Sequence, residues 1–190
     1  MFLANVQTFY SRYNSKWPAE LTQQLELSVN SPEHPIHHPE GTLDAHIDEV
    51  VRRGLARPEP ELAFAAILHD ITKSGLCPAL WDGRVGVMKT IPTGSYWQNV
   101  EHPKQALAFI NLPSVTEWMS HHGIDVELVK QLVGCHMTMK TFLTGIAGTP
   151  GGMGETKREN FKAKFTETSW DLMWYFSTVC DNMSISFPYH

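Results

Sequence analysis

The feature that most constrains this chain is an uninterrupted apolar run, residues 62–68, that ends on His69 and Asp70. The run is rich in Ala and Leu and follows two Pro-Glu pairs at residues 58–61, a composition that favours the start of a helix. A helix that presents a histidine and a carboxylate side by side at its buried end is costly unless both side chains have a partner. A metal ion would use both at once. A His-Asp pair alone also arises by chance, so the rest of the chain has to decide.

Composition indicates one globular domain with a sizeable core, since the chain has 190 residues of which 42% are hydrophobic and 18% charged. The net charge of -5 argues against a general nucleic-acid-binding surface. The cysteines, Cys77, Cys135 and Cys180, are odd in number and lack metal-ligand spacing, as expected of reduced intracellular thiols. No signal peptide and no stretch of about 20 apolar residues is evident. We therefore expect a cytoplasmic protein without a membrane partner.

Helical periodicity predicts an all-α fold. Residues 74–100, rich in Gly and Pro, are expected to form a long irregular loop, and no alternating pattern predicts a strand. Residues 141–156 are Gly-rich and precede several basic residues, so residues 141–165 are interpreted as a flexible lid or, alternatively, a solvated basic face. The predicted helices cover residues 2–13, 19–29, 43–55, 62–70, 114–122, 125–139 and 170–184, with one more opened by His102-Pro103.

Several ionisable residues fall on the apolar faces of these helices. His46 stands three residues after Leu43 and four before Val50, which places it toward the core. Asp181 is the only charged residue from 172 to 188, and a carboxylate in such surroundings needs a cation. A hydrogen-bonded core histidine is the alternative for His46. Together with His69 and Asp70, however, these residues form an ordered set that chance explains poorly.

The order His46, His69-Asp70, Asp181 resembles the ligand pattern of the HD-domain superfamily of metal-dependent phosphohydrolases. His38-Pro39-Glu40 before His46 is similar to the segment that enters the HD domain of bacterial tRNA nucleotidyltransferases, and residues 67–73 resemble the His-Asp-Leu-Gly-Lys signature with Thr72 in place of Gly. The likeness covers residues 34–185 without the nucleotidyltransferase and tRNA-binding parts. It implies a free-standing, single HD-domain helical bundle with N-terminal helices in residues 1–33 and an HD core in residues 34–185.

The resemblance also implies roles for individual residues. A divalent ion (Mn, Ni, Co, Fe, Mg or Zn) would be held by two histidines and two carboxylates and would supply a hydroxide at neutral pH. Neither His102 nor His136 is followed by a carboxylate, as His69 is by Asp70, so we expect one ion, with these histidines contacting the phosphate. The expected metal ligands are His46, His69, Asp70 and Asp181; the expected catalytic residues are Asp70, Lys73, His102 and His136; and the expected substrate-binding residues are Lys73, His38, Trp81 and Trp97.

The function expected from this resemblance is hydrolysis of a nucleotide phosphate ester, such as a 2′,3′-cyclic nucleotide, a nucleoside monophosphate or a deoxynucleoside triphosphate. The partner would be this small molecule, and nucleic acid would bind only as an RNA end. One alternative is an HD-fold diiron oxygenase, in which His102 and one of His121, His122 or His136 complete the ligand set. The other is a nucleotide-binding module with a structural metal. The sequence leaves the substrate, the metal and the oligomeric state open.

Overall fold

The computed structural model describes residues 4–13, 16–34, 38, 40–80, 86–99, 101–146 and 154–181. This part of the chain is mostly helical, as predicted, and none of its helices is long and apolar enough to cross a membrane. Its elements are α1 (Ala4–Tyr10), α2 (Ala19–Ser28), α3 (Leu43–Gly54), α4 (Pro60–Leu68), a 3-10 turn (Ile71–Ser74), β1 (Val87–Ile91), β2 (Gly94–Gln98), α5 (His102–Ile110), α6 (Pro113–His121), α7 (Val126–Ile146), α8 (Glu155–Lys162), α9 (Glu167–Tyr175) and a π-helical turn (Phe176–Cys180).

The centre of the fold is α4. Every side chain from residue 62 to 68 is buried, which explains why this stretch is apolar on all sides rather than on one stripe. Pro60 occupies the first turn, where its missing N–H has no helical partner to lose. Helices α3 and α7 both pack against α4. The carboxyl end of α4, where His69 and Asp70 follow, therefore opens into the middle of the helical bundle.

The loop predicted for residues 74–100 contains a β-hairpin, so the expectation that the chain has no strand is wrong. Strands β1 and β2 pair antiparallel, with Val87 opposite Gln98. Their side chains are mostly exposed, so no buried face imposes the alternation that would have revealed them in the sequence. The backbone N–H of Trp97 donates to the carbonyl of Pro32 at 3.2 Å, which ties the hairpin to the segment that precedes α3.

Residues 141–156 are more helical than predicted. Helix α7 continues to Ile146, and α8 begins at Glu155. Aromatic packing explains part of this difference, because the ring of Phe142 lies 6.2 Å from that of Phe161 and 5.2 Å from that of Trp170. Residues 147–153 lie outside the described residues. A lid role for residues 141–165 stays a prediction.

The last helix also differs from its predicted form. It was expected over residues 170–184, whereas α9 begins at Glu167 and widens into the π-helical turn Phe176–Cys180, after which Asp181 follows. The backbone N–H of Asp181 donates to the carbonyl of Phe176 at 2.9 Å. Single π turns are frequent at functional sites because they redirect a side chain. Here the turn leaves Asp181 buried; residues 182–190 lie outside the described part.

Candidate metal centre

The four predicted metal ligands come from three separate elements and meet in the core. His46 lies on α3, His69 and Asp70 follow α4, and Asp181 follows the π-helical turn. All four are buried, with exposed fractions of 0% for His46 and His69, 2% for Asp70 and 3% for Asp181. The position on the core face of α3 that helical spacing predicted for His46 is thus confirmed.

The first ligand group consists of His46, His69 and Asp181, together with the Oδ2 atom of Asp70. The Nε2 atoms of His46 and His69 are 3.2 Å apart. Asp70 Oδ2 lies 3.4 Å from His46 Nε2 and 3.2 Å from His69 Nε2. Asp181 Oδ1 lies 3.5 and 3.4 Å from the same two nitrogens. Two imidazoles and two carboxylates therefore face one point.

The second ligand group consists of His102, His136 and the Oδ1 atom of Asp70. The Nε2 atoms of the two histidines are 3.2 Å apart, and Asp70 Oδ1 lies 3.2 Å from that of His102 and 4.0 Å from that of His136. The single-ion expectation assumed that neither histidine has a carboxylate beside it. That premise is wrong, because folding brings Asp70 to both of them.

In all four histidines, the hydrogen-bond partner of Nδ1 determines the tautomer of the ring. Each Nδ1 faces an oxygen that only accepts hydrogen bonds, so Nδ1 carries the proton and Nε2 offers its lone pair. For His46 this oxygen is Glu40 Oε1, at 2.7 Å. The other three partners are backbone carbonyls: Ala66 for His69 at 2.9 Å, Asn99 for His102 at 2.8 Å, and Val133 for His136 at 2.6 Å.

This arrangement fits metal ions. In each group two Nε2 lone pairs face each other at 3.2 Å, a contact that requires a proton or another cation between them. Asp70 Oδ1 is buried and makes no hydrogen bond within the described residues, although His102 Nε2 is near it. The two His/Asp groups could therefore hold metal ions, and their members are His46, His69, Asp70, His102, His136 and Asp181.

The pKa shifts of His46 and Asp70 indicate that the buried carboxylates of the centre need a positive charge beside them. Burial acts to lower the pKa of His46, but the carboxylates of Asp181, Asp70 and Glu40 outweigh burial and raise that pKa well above its usual value. Burial acts to raise the pKa of Asp70, and His69, Lys73 and His102 outweigh it, so the carboxyl is held well below its usual range. Without a metal, a proton on His46 thus compensates carboxylates that stay ionised.

Metal and proton should therefore compete, which predicts a pH dependence. The stabilisation from protonated His46 is complete below the ordinary pKa of a histidine and is lost as the pH rises through the raised value. The rise in melting temperature produced by added Mn²⁺ should consequently grow as the pH rises above the ordinary pKa of a histidine, about 6.5. Thermal unfolding at several pH values, with and without Mn²⁺, measures this rise in melting temperature. The exposed His121→Ala variant should keep the trend; a metal-induced shift that shrinks with rising pH would contradict it.

Lys73 and His38, both predicted to contact substrate, lie at the rim of the first group. Lys73 Nζ is 2.7 Å from Asp70 Oδ2 and 3.4 Å from His38 Nε2. The buried carboxylate of Glu33 is 3.7 Å from the same ammonium. Burial, reinforced by the charge of Lys73, lowers the pKa of His38 to about 3, so this imidazole is neutral.

Sequence reasoning missed two carboxylates near the centre, Glu33 and Glu40. Glu40 belongs to the His-Pro-Glu motif, and its place six residues before His46 is the only sign of its role in the sequence. It fixes the orientation of that ligand ring, as carboxylates beside metal-binding histidines commonly do. Glu33 gave no signal, because its burial and its approach to Lys73 depend on contacts between segments distant in the sequence.

Other predicted residues lie elsewhere. The ring of Trp97 covers Gly75, whose φ is +81°, and a Cβ there would collide with that ring. One face of Trp97 is thus packed against the turn that follows Lys73, and Trp81 lies outside the described residues. His122 stacks on Trp118 with ring centroids 4.0 Å apart and, like His121, belongs to neither ligand group.

Comparison of the chain with models of protein families, with curated proteins and with solved structures gives no match. A function must therefore be argued from the six buried side chains, their separations and their charges. The resemblance to the HD-domain superfamily stays a prediction from the sequence.

Proposed function

We propose that this protein is an HD-type metal-dependent phosphohydrolase or phosphodiesterase that acts on a nucleotide phosphate ester. The observation that carries the proposal is the position of Asp70, whose two oxygens face two separate pairs of histidines. A carboxylate placed between two ligand groups in this way suits a two-ion hydrolytic centre. The proposal therefore replaces the expected single ion with two.

The ligand sets suggest which ions bind and in what order. His46, His69, Asp181 and Asp70 would hold the first ion, and His102, His136 and Asp70 the second. Imidazole donors favour Mn, Fe, Co, Ni or Zn over Mg, which prefers oxygen ligands alone. Because the first group offers one ligand more and both carboxylates, its ion should bind more tightly. The second ion should be the one lost first on dialysis.

The side chains at the rim would bind and orient the substrate. Ions held in the two groups would lower the pKa of a water molecule and neutralise phosphate oxygens. Lys73 brings a fixed positive charge to the rim, where its donors are directed at Asp70, His38 and Glu33. A phosphate oxygen would take the place of one of the two longer contacts, those to His38 and Glu33. Asp70 would keep the ammonium in place during that exchange.

A screen of phosphorylated nucleotides tests the activity. The protein, stripped of metal, is assayed with Mn, Ni, Co and Mg in turn against 2′,3′-cyclic nucleotides, nucleoside monophosphates and deoxynucleoside triphosphates. We expect turnover of one of these classes with Mn, Ni or Co, and less with Mg. Lys73→Met should weaken substrate binding while the first ion is kept. Absence of turnover with every metal and nucleotide would contradict the proposal, and stoichiometric nucleotide binding without turnover would favour the nucleotide-binding module.

A diiron oxygenase is the second candidate, and the shared Asp70 also favours it. His136 fills the position that the sequence left open between His121, His122 and His136. Iron loading without oxygen, followed by measurement of oxygen consumption with the phosphorylated nucleotides of the screen, distinguishes the two functions. Oxygen uptake coupled to substrate loss would identify the oxygenase. Nucleotide hydrolysis without oxygen uptake would identify the hydrolase.

A further inference from the structure

A buried amide lies directly beneath the turn that carries Asp70 and Lys73. Gln24, on α2, is 1% exposed. Its Nε2 atom donates to the carbonyl of Ile71 at 2.9 Å, to Ser74 Oγ at 2.9 Å and to the carbonyl of Leu76 at 2.8 Å. The two N–H groups of one amide are thus shared among three acceptors on a single short segment.

The position of Gln24 is determined by these donations. Its Oε1 atom is buried and has no hydrogen-bond partner among the described residues, so the oxygen does not anchor the side chain. A rotated amide would place that oxygen against the carbonyls of Ile71 and Leu76, where two acceptors would repel each other. The Gln24 amide thus makes three contacts through its nitrogen while its oxygen stays unpaired. We infer that its role is to hold the segment that accepts these hydrogen bonds.

The contacted segment sets the direction of Asp70. The 3-10 turn Ile71–Ser74 begins immediately after Asp70, and the backbone N–H of Lys73 donates to the Asp70 carbonyl at 2.8 Å. The side chain of Lys73 then donates to Asp70 Oδ2 at 2.7 Å. A change in this turn would therefore rotate the Asp70 carboxylate away from one of the two ligand groups.

We propose that Gln24 is a positioning residue that holds the carboxylate of Asp70 between the two ligand groups and thereby permits the second ion to bind. This role depends on the two-ion centre of the proposed function. The second ion is the sensitive one, because without Asp70 it would keep only His102 and His136. The first ion would still have His46, His69 and Asp181.

The test is a Mn²⁺ titration of three variants beside the parent, with free ion counted by electron paramagnetic resonance. Gln24→Met keeps the length of the side chain and removes its donors. Gln23→Met makes the same change at the exposed neighbouring position, and Leu21→Ala weakens the packing of the same helix while keeping the Gln24 amide. We expect Gln24→Met to weaken binding of the second ion by about 10-fold and to leave the first ion unchanged. This is the low end of the effect of losing a hydrogen bond made directly to a metal ligand, because Gln24 acts on Asp70 through the turn.

The controls separate positioning from stability. Leu21→Ala should lower the melting temperature and still bind both ions with parental affinity, and Gln23→Met should match the parent throughout. Unchanged affinity for the second ion in Gln24→Met would overturn the positioning role while leaving the two-ion centre intact. A parent that binds fewer than two ions would overturn both. Should Gln24→Met not fold, Gln24→Asn, which keeps the amide but is one methylene shorter, is expected to give the same loss to a smaller degree.

Discussion

Asp70→Asn is expected to abolish metal binding at the second ligand group, to weaken it at the first, and to lower turnover by at least about a thousandfold, the order seen when a principal electrostatic contribution to catalysis is removed. The substitution keeps the shape of the side chain and removes the charge that both groups share. Because no volume is lost, the protein should keep its helical circular dichroism. Metal content after dialysis, measured by mass spectrometry, and turnover with the active nucleotide test the prediction.

Asp171→Asn is the matched control for that substitution. The Asp171 carboxylate is exposed and pairs with Arg57 at 2.9 Å, away from both ligand groups. The control should keep parental metal content and turnover. An Asp70→Asn protein that retains its ions and its activity would show that the His69-Asp70 pair is not part of a metal centre.

Removing single histidines should reveal two unequal sites. His102→Ala and His136→Ala are each expected to lower the metal content from about two ions per chain to about one, with the tight ion retained. His46→Ala and Asp181→Ala should instead lower the affinity for the tight ion, and by similar amounts, since each would supply one ligand of the first group. Isothermal titration with Mn²⁺ resolves the two affinities.

Two other results would contradict this division of the centre. If His102→Ala and His136→Ala keep full metal content and change only the kinetic constants, these histidines contact the phosphate, as the sequence first suggested. If only one of His46→Ala and Asp181→Ala weakens the tight ion, the other residue is structural and the first group is incorrectly assigned.

The burial of the residues of the first group was predictable from the sequence because local rules govern it. Three- and four-residue spacing placed His46 on the face of α3 that packs on α4, and the apolar run before His69 required a buried end. Asp181 was identified by its isolation in an apolar stretch. In each case an ionisable side chain lies within an apolar stretch or on an apolar helix face, so burial of that stretch or face also buries the side chain.

The sharing of Asp70 was not predictable, because it depends on how distant elements pack. His102 begins α5 and His136 lies in the middle of α7, and nothing in their neighbouring sequence shows that one carboxylate reaches both. The role of Gln24 is hidden for the same reason, since a polar residue on α2 gives no sign of the turn it contacts 47 residues later. The hairpin was missed because its exposed strands lack an alternating apolar pattern.

Anomalous diffraction at the manganese edge, from crystals grown with Mn²⁺, tests the central claim most directly. Two peaks are expected, one among His46, His69 and Asp181 and one beside His102 and His136, with the carboxylate of Asp70 between them. Ligand atoms should approach each peak to about 2.0–2.3 Å, the range usual for nitrogen and oxygen donors on divalent ions. A single peak with His102 and His136 turned away from it, or no peak among these six residues, would contradict the two-ion centre.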